Sequence, residues 1–100
     1  MCRVAGGLTW TLQQAVRVQC SAMQLTASLP APLADALGVT GLYLSDRGCS
    51  GRRNATHWSI TSRVTSCGST LRIGEKLTTY SNLVIFNTIT HSFLCVRVHC

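Results

Sequence analysis

The residues with most chemistry to offer are the cysteines: Cys2, Cys20, Cys49, Cys67, Cys95 and Cys100. Thiols close disulfides, hold soft metals or attack as thiolates. Zinc needs convergent ligands. Cys95, His99 and Cys100 crowd together in sequence, but in an extended chain His99 and Cys100 project to opposite faces. No second Cys-x-x-Cys and no paired histidine accompanies them. A catalytic assembly from Asp46, His57 and Ser59 lacks any supporting motif. There is no Gly-x-Ser-x-Gly elbow, Gly-x-Gly-x-x-Gly, phosphate loop or His-Glu-x-x-His. Three carboxylates supply paired-acid chemistry poorly. The chain is therefore read as a non-enzyme with no metal and no cofactor, whose cysteines close disulfides.

That reading suits its size. One hundred residues make one domain with a modest core, so cross-links add needed stability. In the chain-entropy model, a bridge spanning the Cys49–Cys67 separation adds about 3 kcal/mol, and one spanning Cys20–Cys100 about 4.5. Disulfides persist in oxidising compartments, so the expected location is secreted or extracellular. The first ten residues, however, make a poor signal peptide, because glycines and a threonine break their apolar stretch. A fragment, or a truncated isoform without a function of its own, is an alternative. No apolar run approaches the ~20 residues of a membrane helix, although a parent protein could be anchored.

Nine basic residues stand against three acidic, for a net charge of +6. Eight of the nine are Arg, and only Arg47, Arg52 and Arg53 cluster in sequence. In an alternative reading the chain is a basic secreted binding module, and these three are its candidate contacts for a growth-factor-like ligand or an acidic glycan. Nucleic acid is not expected, since the remaining bases are scattered.

The elements that position these residues are read from hydrophobic period, which is two far more often than 3.6. From Trp10, the even positions through Leu12, Val16, Val18 and Cys20 form an apolar face. The phase changes after Cys20, and Met23, Leu25, Ala27 and Leu29 then point one way. A bulge or bend near Ser21–Ala22 accounts for the switch. Pro30-Ala31-Pro32 stops the strand. Leu33 to Gly38 reads as a helical turn closed by glycine. Leu42–Leu44 is a short strand, and Ser45 to Ala55 a loop. Trp58, Ile60 and Val64 alternate as a core face. Leu71 and Ile73 begin another strand, turning at Gly74–Lys76. Leu83–Phe86 reads as buried on both faces. Finally Leu94, Val96, Val98 and Cys100 share an apolar face, leaving Phe93, Cys95, Arg97 and His99 opposite. Roughly seven short strands separated by turns predict an all-β sandwich. Cys20 and Cys100 each end an apolar face, which favours a bridge between them. Cys95 is left over.

The cysteine words in order are Val18-Gln19-Cys20-Ser21-Ala22-Met23, Asp46-Arg47-Gly48-Cys49, Ser66-Cys67-Gly68 and Val96-Arg97-Val98-His99-Cys100, with Tyr80-Ser81-Asn82 before the last. The set resembles the N-terminal half of a zona pellucida (ZP) module, over residues 18–100. Residues 1–17 stay unassigned, with an extra strand as one option. The resemblance implies an immunoglobulin-like β-sandwich held by two disulfides, first to fourth (Cys20–Cys100) and second to third (Cys49–Cys67). It places Tyr80 as a packed aromatic near the strand of the fourth cysteine. It also implies an extracellular protein-association role in filaments or matrices, with itself or another ZP-module protein as partner. The family's C-terminal half, cleavage site and anchor are not in these 100 residues. Cys2 and Cys95 fall outside the pattern, and could pair with each other, bridge two molecules or remain free. Asn54-Ala55-Thr56 is an N-glycosylation acceptor in a hydrophilic loop.

Overall fold

A computed structural model describes residues 12–76, 78–89 and 93–100. In chain order the elements are β1 (Arg17–Cys20), β2 (Gln24–Pro30), α1 (Ala31–Leu37), β3 (Val39–Tyr43), β4 (Arg52–Arg53), β5 (His57–Arg63), β6 (Thr70–Ile73), β7 (Thr78–Thr88) and β8 (Phe93–His99). They form two antiparallel sheets. One has the order β1-β2-β5-β4. The other is built on the long β7, with β8 along one edge and β3 and β6 along the other. The fold is the all-β, disulfide-stapled sandwich expected from the alternation.

The core lies between the sheets. Leu25, Ala27, Leu29 and Ile60 come from the first, and Leu42, Val84, Phe86, Leu94, Val96 and Val98 from the second. Each large aliphatic buried this way contributes about 1.5–3 kcal/mol. Leu83 is half-buried while Val84, Ile85 and Phe86 are buried, so the centre of β7 is covered on both faces, as its unbroken apolar run requires. Ala34 and Leu37 of α1 close one end. The helix carries proline in its first turn and stops at Gly38, which takes the left-handed conformation (φ 71°) and donates to the Asp35 carbonyl.

The structure corrects three sequence expectations and decides between two alternatives at a fourth place. Residues 12–15 are helical rather than extended, and the strand starts only at Arg17. Leu12 and Val16 are spaced for either period, and the Val16 amide donates to the Leu12 carbonyl. Leu12 is fully buried, so this part of the unassigned segment belongs to the same core; Trp10 and Cys2 lie outside the described residues. Of the bulge and the bend that could explain the phase change after Cys20, the structure shows the bend, at Ala22–Met23, and it reverses the chain. The Ser21 amide donates to the Gln24 carbonyl, and Cys20 pairs with Leu25 across a tight hairpin. Pairing an even position with an odd one puts Val18 and Cys20 on the same face as Leu25 and Ala27. Met23 sits in that turn and is exposed instead of inward-facing. Within the expected loop 45–55, Arg52 and Arg53 form a short edge strand on β5. Two adjacent arginines carry no apolar alternation to announce it.

Candidate interaction surface

Two disulfides set the frame. Cys20–Cys100 joins the end of β1 in the first sheet to the residue after β8 in the second, with Cα atoms 5.8 Å apart. Tyr80 lies beside it, since Tyr80 and Cys100 exchange both backbone hydrogen bonds. The Tyr80 ring packs against the core. Cys49–Cys67 ties the loop after β3 to the loop after β5. Of the options for Cys95, pairing with Cys2, bridging two molecules or staying free, the free thiol is excluded: Cys95 is disulfide-bonded, and no described cysteine is free. Disulfides of this kind mark an oxidising, extracellular-type environment. No described helix is long and apolar enough to cross a membrane.

The second bridge sits on a polar node that the sequence did not signal. Asn82 is buried on β7 and uses its whole carboxamide. Its Nδ2 donates to the Cys67 carbonyl and to Ser69 Oγ, and its Oδ1 accepts from the amides of Ser45 and Leu83. The Cys67 carbonyl also accepts from the Asp46 amide. Cys67 (φ 61°) and Gly68 (φ 79°) are both left-handed, which turns the chain back toward Ser45. An asparagine inside a hydrophobic strand was the available signal, because a buried amide must find partners.

Among the described residues, β6 is an edge strand of the second sheet. β6 hydrogen-bonds only to β7 among the described residues, and all four of its residues are exposed. Leu71 and Ile73 share the face of Tyr80 and Thr78, yet stand 52% and 76% exposed. That combines apolar side chains with backbone groups that have no strand partner among the described residues, a configuration that recruits a further strand.

The arginine cluster of the sequence is dispersed. Arg53 pairs with Asp35 at 2.8 Å. Arg52, its neighbour on β4, projects to the opposite face. The Arg47 guanidinium stacks 4.2 Å above the Phe93 ring, at the start of β8. Asn54 is exposed, and its Oδ1 accepts from the Thr56 amide, the Thr56 hydroxyl and the His57 amide. His57 Nδ1 lies 3.0 Å from Thr56 Oγ1, and Asp46 Oδ1 accepts from Gly48. Asp46, His57 and Ser59 make no hydrogen bond with one another. No group of His, Cys, Asp and Glu suited to a metal ion comes together among the described residues. Trp58 packs on the core, and its Nε1 is buried without a partner among the described residues.

Compared with protein-family models and with curated proteins, the chain matches none.

Proposed function

We propose that this chain is a secreted association domain of ZP N-terminal type, which joins a second copy of itself or another chain of the same type. The observation that carries the reading is the β6 edge. Leu71 and Ile73 are exposed there on the sheet's inner-facing side, beside backbone groups with no strand partner among the described residues. An added strand would satisfy the backbone and cover the apolar pair together. The bridges Cys20–Cys100 and Cys49–Cys67, with Tyr80 held against Cys100, support the family resemblance, which ties cysteine order to this pairing. An exposed Asn54 with its Thr56 in hydrogen-bond contact supports a glycan on the β4–β5 loop. Matrix or filament assembly is the role such a domain serves. The test is sedimentation velocity of the secreted chain over a range of concentration, at low and at high salt. Strand-edge association with itself gives a concentration-dependent dimer that survives high salt; a strict monomer contradicts self-association.

A further inference from the structure

The outer face of the second sheet carries a groove of about 610 Å³ lined by Thr70, Leu71, Arg72, Thr79, Ser81, Arg97 and His99. Strand register assembles it. Thr70 lies opposite Ser81 and Ser81 opposite His99, while Arg72 lies opposite Thr79 and Arg97 opposite Leu83. Paired residues in an antiparallel sheet share a face. The two arginines therefore stand on different strands at opposite corners of the groove, roughly 16 Å apart at the backbone by strand rise and spacing. Between them runs a floor of hydroxyls, with Thr70 Oγ1 and Ser81 Oγ 2.8 Å apart. Neither Arg72 nor Arg97 forms an ion pair among the described residues, whereas Arg53 is taken by Asp35. Of the three carboxylates, Asp35 and Asp46 are engaged elsewhere, and Glu75 follows β6 in its turn.

We propose that this groove binds a sulfated oligosaccharide, with Arg72 and Arg97 each taking an oxyanion and the hydroxyl floor meeting sugar hydroxyls. Charge complementarity selects an anion, and the guanidinium fork suits oxyanion geometry. The floor selects a sugar over an acidic peptide. The backbone of β7 at Ser81 is already bonded to β6 on one side and β8 on the other, so a peptide lying on the groove floor finds no main-chain partners there and finds them only at the rim, along the outer edge of β6. This site is separate from Arg47, Arg52 and Arg53, the contacts that sequence proximity favours. Leu71 borders the groove as well as the associating edge of β6, so the two surfaces adjoin there.

The test is calorimetric titration of the disulfide-bonded chain with a fully sulfated heparin octasaccharide. The comparison ligands are its desulfated counterpart and an oligoglutamate of equal charge. Removing two partly exposed charge-assisted contacts in Arg72→Gln/Arg97→Gln weakens binding about tenfold or more. Arg47→Gln/Arg52→Gln/Arg53→Gln changes it less than about twofold, apart from the general loss of positive field. Far-UV circular dichroism and disulfide mapping verify that both variants fold. Equal loss in the two variants, or no loss in the first, overturns the site. Oligoglutamate binding as tight as the sulfated sugar overturns the assignment of the ligand.

Discussion

Asn82 Nδ2 donates to the carbonyl of Cys67 at 3.0 Å, so the central strand of the second sheet holds the inner disulfide loop through a side-chain amide. Its other bonds reach Ser69 and Ser45, the segments that flank this loop on both sides. The disulfide fixes Cys49 to Cys67, and Asn82 fixes Cys67 to the core. Neither contact alone would orient the loop, because a bridge permits rotation that a fourfold-bonded amide does not.

Asn82→Ala removes that amide and leaves buried donors and acceptors unpaired. We expect a loss of about 2–4 kcal/mol in denaturant unfolding, the range for breaking a buried network. Asn82→Asp is nearly isosteric but cannot donate to Cys67 or Ser69 when ionised, and it is expected to be at least as damaging. A loss below about 1 kcal/mol for both would show that the node does not hold the loop.

Gly68→Ala tests the turn beside it. A β-carbon there would lie 2.8 Å from Ser45 Cβ and 2.9 Å from the Asp46 amide nitrogen, on a residue already at φ 79°. Backbone strain and close approach together predict a loss of about 2 kcal/mol or more. Gly48→Ala is the control. Its nearest contact is 3.2 Å, to the flexible carboxylate of Asp46, and its φ is not left-handed. Thermal unfolding of the two variants should separate clearly; equal melting points would contradict the assignment of strain to Gly68.

The two bridges should not be equal. Cys20–Cys100 spans 80 residues and links the two sheets, whereas Cys49–Cys67 spans 18 within one end. The chain-entropy model gives about 4.5 and about 3 kcal/mol for their loss. Unfolding free energies of Cys20→Ser/Cys100→Ser and Cys49→Ser/Cys67→Ser should follow that order. The reverse order would place more of the stability in the Asn82 loop than loop length allows.

Much of this architecture is legible in the sequence, and the reasons are local. Leu94, Val96 and Val98 alternate without interruption, and they are buried as read. Pro32 and Gly38 bracket a helix because each is suited to one end of it. The start of β1 is not legible, since Leu12 and Val16 satisfy a strand and a helix equally. The β6 edge was read as a strand, but its exposure depends on which element lies across from Leu71 and Ile73, and no local pattern encodes that. The cationic groove was illegible for the same reason. Arg72 and Arg97 are 25 positions apart and meet only through the registers of β6 and β8 on β7, while Arg52 and Arg53, adjacent in sequence, diverge.

Expression in a glycosylating secretory host tests the loop at Asn54. The wild-type chain should carry one glycan, removed by an amidase and absent from Asn54→Gln and Thr56→Ala. Asn54→Gln also loses the turn bonds to Thr56 and His57, so a modest cost of about 0.5–1.5 kcal/mol is expected in the unglycosylated protein. An unshifted wild-type band in a secreted product would contradict the modification.

The most direct test of the central claim is sedimentation velocity of Leu71→Lys/Ile73→Lys beside the wild-type chain. Both positions are exposed, so the substitutions leave the core untouched, and lysine on an edge strand blocks pairing with another edge. The account predicts a wild-type dimer that resists salt and a folded variant that stays monomeric at the same concentration. A variant that still dimerises as the wild type does would contradict association through β6.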